Sequence, residues 1–175
     1  MPDISLPFIA LVAVNLFVKF WLNVRQANNA QRYQTKVPDA FKEVISLEAH
    51  QKAAAYTCAK IRVGQWRLII DTAWLLALTL GGGINLLYGI ALNVSGSEST
   101  LLTGLVFLVG LGVLSSLIDL PISIYRQFNL EARFGFNRMT PGLWLRDLVV
   151  TNLVGAVIAL PLAALLLWLM SAAGD

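Results

Sequence analysis

The sequence predicts an all-α, polytopic membrane protein with four transmembrane helices and one amphipathic helix on the cytoplasmic side. Three observations carry this. Hydrophobic residues make up 57% of the 175 positions and charged residues only 13%, where a soluble domain carries about a quarter charged. Four apolar runs lie near residues 4–22, 68–92, 101–124 and 148–170, and each approaches or exceeds the roughly 20 residues that cross a hydrocarbon core of about 30 Å. None alternates apolar with polar residues as barrel strands do, and all are too long for such strands.

The first run is expected to be a retained helix. Asp3 precedes it where a secretory signal would carry a basic cluster, and no clear small-residue cleavage site follows Trp21. After it, the Gln- and Asn-rich stretch from Arg25 to Lys36 reads as a polar connection, and Val37-Pro38-Asp39 reads as a helix start with proline near the first helical position. Phe41, Val44, Ile45, Ala49, Ala53, Tyr56, Ala59 and Val63 then recur near helical spacing, with Lys42, Glu43, Gln51, Lys52 and Lys60 mostly on other faces. Nothing from Ala53 to Leu92 enforces a stop, so this amphipathic helix is free to run into the second span.

The second span contains Gly81-Gly82-Gly83 followed by Asn85. In lipid, such glycines permit close helix packing, the first reading, or a local break, the second. Gly104, Gly110 and Gly112 repeat the theme in the third span without a strict GxxxG motif, so no dimer face follows. Residues 95–100 form a short outer turn rich in cap formers. Asn93-Val94-Ser95 matches a glycosylation acceptor but sits against the bilayer and is assigned no role. The third helix is expected to continue to Phe134, with Gly135 as a left-handed cap. Thr140-Pro141 then opens the fourth helix, which Pro161 should kink unless neighbouring helices satisfy the freed carbonyl.

Charge placement sets topology, because short loops rich in Lys and Arg stay on the cytoplasmic side. The connection 25–67 holds Arg25, Arg32, Lys36, Lys42, Lys52, Lys60, Arg62 and Arg67, and the connection 125–147 holds Arg126, Arg133, Arg138 and Arg146. Residues 93–100 hold no basic residue. Both termini are therefore expected on the non-cytoplasmic side. The net charge of +3 reads as orientation and contact with anionic headgroups, not as a nucleic-acid footprint. The single cysteine, Cys58, excludes an internal disulfide and reads as a small packing residue.

Functional candidates fall at the basic ends of the spans. Asp71 and Asp119 either pair structurally, with Arg67 and Arg126 as partners at helical spacing, or line the entrance of a polar chamber. Between the third and fourth runs, residues 124–147 interleave charge with aromatic rings. There Glu131, Arg133, Asn137 and Arg138 are candidates for contacting a substrate backbone or a catalytic insert, and Phe134 and Phe136 for anchoring the turn in the interface. A purely structural loop is the alternative.

The string DLPISIYRQFNLEARFGFNRMTPGLWLRDL, residues 119–148, resembles a segment of the integral-membrane zinc metalloproteases called CAAX prenyl proteases. VPDAF at 37–41 and LEAHQKAAAYTCAKIRVG at 47–64 resemble that family's segment ahead of its second span. The likeness covers essentially the whole chain. It implies a seven-helix enzyme with a catalytic insert after its fifth helix, in which an HExxH helix and a later carboxylate hold zinc. This sequence has no HExxH, and His50, in Leu47-Glu48-Ala49-His50-Gln51, is its one histidine. A pair of imidazoles one helical turn apart cannot be assembled, nor can a Ser/His/Asp arrangement or a Walker lysine loop be found.

Residues 1–175 are thus expected to be a single N-terminal membrane domain, not catalytic alone and without a cofactor of its own, with zinc held in a C-terminal portion absent from the sequence. Implied partners are the lipid bilayer, that catalytic portion and a peptide substrate, prenylated or not, with no nucleic acid. The implied site is a bacterial inner membrane or an ER-type membrane. The rival class is a stand-alone, non-enzymatic membrane scaffold or lipid- or protein-interaction module. A transporter ranks third, since the spans lack a convincing set of buried charges for an ion path.

Overall fold

Helix punctuation decides where the long apolar stretches begin and end. The computed structural model describes residues 4–96 and 100–173, and every regular element among them is helical. Asp3 and residues 97–99 of the outer turn lie outside the described residues.

The first helix, α1, runs Ser5–Tyr33, so the polar stretch expected to be a connection is helical. The cause is tertiary. Phe8, Val12, Leu16, Asn23, Ala27 and Ala30 form a half-buried stripe at helical spacing, and the stripe continues through the polar half. It faces α2, Leu47–Thr79, whose Cys58 Sγ lies 3.7 Å from Ala27 O.

The helix start expected at Val37-Pro38-Asp39 is corrected. Pro38 opens only a 3₁₀ turn, Asp39–Phe41, closed by Phe41 N donating to Pro38 O at 2.9 Å. The cap is Ser46, in extended conformation, whose Oγ accepts from Ala49 N at 3.2 Å. From there α2 continues without interruption from its amphipathic part into the second apolar run, as its sequence permits.

That run is not one helix. Leu80 N and Gly81 N both donate to Leu76 O, at 2.9 and 3.0 Å. Gly82 then takes φ 74°, and α3 follows over Gly83–Ser95. A Cβ on Gly81 would lie 2.6 Å from Ala77 O. Glycine is required here for a left-handed break, which replaces the close-packing reading of residues 81–83.

The third helix, α4, spans Thr100–Tyr125 with Pro121 inside it. A π-helical turn, Arg126–Leu130, and a last turn, α5, Glu131–Arg133, extend it to where Gly135 adopts φ 73°. The expected extension and cap are both present. The final helix, α6, is Pro141–Ala173, with Thr140 Oγ1 accepting from Leu143 N at 3.3 Å, and it runs through Pro161.

Three stretches, α1, Leu101–Arg133 and α6, are long and apolar enough to cross a membrane, and α2 with α3 makes a fourth if the broken pair counts as one span. Their apolar windows are at most 6% buried within the protein for the three unbroken stretches, which leaves those side chains for lipid or further helices. The chain divides into two units. One comprises Met1–Gly81 with Pro121–Asn137, and the other Gly82–Leu120 with Arg138–Asp175.

Candidate functional site

Away from the apolar windows, the first unit gathers an aromatic and ionic cluster around Tyr56. This residue belongs to the apolar stripe of α2, and its ring and its hydroxyl have different needs. The ring packs edge-on against Phe134, centroids 5.3 Å apart, and against Phe136, 5.0 Å apart. The hydroxyl donates to Glu131 Oε1 at 2.7 Å. Lys52, one turn before Tyr56, sets its Nζ 5.4 Å from the Phe136 ring centroid.

The loop is shaped to make this possible. Gly135 N donates to Ala132 O, while Phe136 N and Asn137 N both donate to Glu131 O at 2.9 and 3.2 Å, folding the chain back over the helix end. Gln127 Nε2 donates to Asn137 Oδ1 at 2.9 Å, pinning the far side of the turn. Leu130, 5% exposed, lies beneath. Across the π-helical turn Glu131 N bonds Arg126 O, which stacks these two residues and brings Arg126 Nε to 3.9 Å from Glu131 Oε1. Single π turns of this kind often accompany functional sites.

Electrostatics follow from the geometry. The hydrogen bond to Glu131 pushes the Tyr56 phenol above its ordinary value, helped by desolvation and the carboxylate charge and opposed by Arg126. Tyr56 therefore stays protonated at neutral pH. It is a donor and a wedge, not a nucleophile, and the cluster is suited to holding shape and presenting charge.

Of the residues expected at a site, Glu131 and Asn137 are drawn into this cluster, whereas Arg133 and Arg138 are exposed. Asp71 has the expected partner, with Arg67 Nε 3.6 Å away and both side chains half-exposed. Asp119 is half-buried on α4. Arg126, a candidate partner of Asp119 by spacing, also lies within ion-pair reach of Glu131, because the π turn aligns those two. Tyr56 was missed as a site residue. Its signal is a phenol set among Ala and Val in a stripe otherwise without hydroxyl-bearing rings.

His50 Nε2 lies 2.9 Å from Tyr33 O, so the ring serves the carbonyl end of α1. Among the described residues no group of three or more His, Cys, Asp or Glu is placed to hold a metal ion. These donors do not fit a zinc ion, and no chemical step here runs through one.

Residues 26–175 match the family model described as CAAX prenyl protease N-terminal, five membrane helices. The chain belongs to the CAAX prenyl protease N-terminal family. As a member it resembles the CAAX prenyl protease 1 homologues of Dictyostelium discoideum, 29% identical over 90% of this chain and 38% of that protein, and of Homo sapiens, 27% identical over 100% and 38%. The crystal structure of S. mikatae Ste24p superposes with a TM-score of 0.85 at 28% identity, covering 94% of this chain and 39% of that one. The chain thus spans less than two-fifths of the length of these relatives. Within the CAAX prenyl protease N-terminal domain, the Tyr56 cluster unites the two segments that carried the resemblance, 47–64 and 119–148.

Proposed function

We propose that this chain supplies part of the wall and the cytoplasmic rim of a peptidase chamber and does not cleave peptides by itself. Family membership supports the peptidase context, and the CAAX prenyl protease names of the relatives supply the substrate class, a peptide with or without a prenyl group. The observation that carries the reading is the Tyr56–Glu131 bond with its two aromatic contacts. It fixes a charged loop against α2, and a rim needs such a fixed shape while a peptide passes. Arg133 and Arg138, exposed on that loop, are the groups offered to a peptide backbone or to a catalytic insert. Asp71 and Asp119 stand at the chamber mouth, and both termini face away from the cytoplasm in an ER-type or bacterial inner membrane. Zinc belongs to residues beyond this sequence.

Co-expression with the remaining C-terminal part of a family member tests the proposal. The pair is expected to cleave a CAAX peptide and neither part alone, with Arg133→Ala/Arg138→Ala lowering kcat/KM about tenfold while the pair still assembles. Cleavage by the 175-residue chain alone, or full activity of the C-terminal part without it, would overturn the reading.

A further inference from the structure

The face of α1 turned away from α2 changes character along its length. The half-buried stripe from Phe8 to Ala30 meets α2, and on the opposite side the exposed residues begin apolar, with Leu11 70%, Val14 59% and Phe17 71% exposed. Trp21, 52% exposed, follows, and then come Arg25, Asn28, Asn29 and Arg32, which line an open groove with it. At helical spacing, Val14, Trp21, Arg25, Asn28 and Arg32 share one side of the cylinder.

The charge on this face is one-sided. No acidic residue occurs between Asp3 and Asp39, so α1 carries Lys19, Arg25 and Arg32 without an acid of its own. On the other side, Asp71 of α2 lies with Lys19 and Arg67 along the α1–α2 seam. The Arg25 guanidinium is held 5.6 Å from the Trp21 ring centroid and that of Arg32 6.0 Å from the Tyr33 ring centroid. Stacking of this kind orients a guanidinium while leaving its N–H fork open to an oxyanion.

We propose that this face binds one anionic glycerophospholipid. Its acyl chain lies along Val14 and Phe17, Trp21 marks the hydrocarbon boundary, and the phosphate sits at Arg25 and Asn28. Arg32 stands about 10 Å further along the axis and meets the negative charge of the headgroup itself. Helical side chains lean toward the helix N-terminus, here the lipid end, so both arginines point back to the bilayer. A covering protein helix would have to bring carboxylates to this face, whereas an anionic lipid brings its phosphate to the depth where apolar surface turns basic. The proposal rests on α1 spanning the membrane and not on the chamber reading.

Native mass spectrometry of the chain with equal phosphatidylserine and phosphatidylcholine of matched acyl chains tests it. Wild type is expected to retain one phosphatidylserine in preference. Arg25→Gln/Arg32→Gln should lower that preference by about 25-fold, about fivefold for each arginine removed, and Lys60→Gln/Arg62→Gln, which removes the same charge elsewhere, should leave it intact. No loss in the first variant, or equal loss in both, overturns the site. Displacement of the lipid by millimolar inorganic phosphate overturns the lipid as occupant. Wild type alone gives an independent check, since its preference must fall as salt rises, and a preference indifferent to salt also overturns the proposal.

Discussion

Each of the two units is held together internally by its own means. Around Tyr56 the contacts are directional, with a hydroxyl–carboxylate bond of 2.7 Å, two edge-on aromatic pairs and an ion pair meeting at one loop. In the other unit, the Leu167 side chain fills the space over Gly104, and Ser95 Oγ meets the Thr103 hydroxyl at 3.0 Å. Beside them α4 and α6 leave an apolar groove of about 700 Å³ lined by Gly112, Gly155, Ala156 and Ala159 among others. Lipid tails are as apolar as leucine, so burial gives α4 and α6 little reason to close on each other. Around Tyr56 the rings and the hydroxyl each have a specific partner, which gives that loop a reason to close. The difference teaches that directional side-chain bonds shape the loop around Tyr56, whereas packing of small residues shapes the α4–α6 contact.

The sharpest way to break this contrast is to remove the wedge. Tyr56→Ala is expected to cost about 2–3 kcal/mol through lost aromatic contacts and the lost hydroxyl bond to Glu131, whereas Leu117→Ala, at a side chain 53% exposed on α4, should cost well under 1 kcal/mol in lipid. Thermal unfolding in nanodiscs measures both. Equal losses would sink the comparison.

A smaller effect separates two glycines. Gly82→Ala forces a Cβ into a left-handed conformation and is expected to cost about 1–2 kcal/mol. Gly104→Ala meets only the movable tip of Leu167, and its unfolding midpoint should stay near that of wild type.

The smallest effect lies in pH. The Tyr56 phenol is raised above its ordinary value of about 10, so the folded protein holds this proton where the unfolded chain loses it. Its contribution is complete below about pH 10 and is lost as pH climbs through the folded value. Ultraviolet phenolate titration of wild type minus Tyr56→Phe should show one tyrosine ionising later than the others, and Glu131→Gln should bring it earlier. An ordinary Tyr56 midpoint in wild type would show that the Glu131 bond is absent in solution.

Much was legible in the residues, though not the same kind of thing everywhere. The Gly135 cap, the Thr140-Pro141 start and the unbroken passage of α2 into its span were readable because each depends on local backbone chemistry. The Val37-Pro38-Asp39 start was misread because proline suits a turn as well as a helix, and the stronger cap, Ser46, lay eight residues on. Gly81-Gly82-Gly83 left packing and breaking open, since glycine permits both and only the neighbouring carbonyls choose. The Arg126–Glu131 pair was not legible, because a π turn brings together residues five apart, which ordinary helical spacing does not.

Composition and apolar length by themselves determined that this is an all-helical membrane protein, because the cost of unpaired backbone in hydrocarbon depends on no particular partner. The two sequence blocks 47–64 and 119–148 also carried the family. Only the tertiary structure decided that those blocks meet at Tyr56 and Glu131 and that residues 26–33 stay helical against α2. Each of those outcomes depends on which distant side chain or carbonyl stands within a few ångströms, and linear spacing does not encode that.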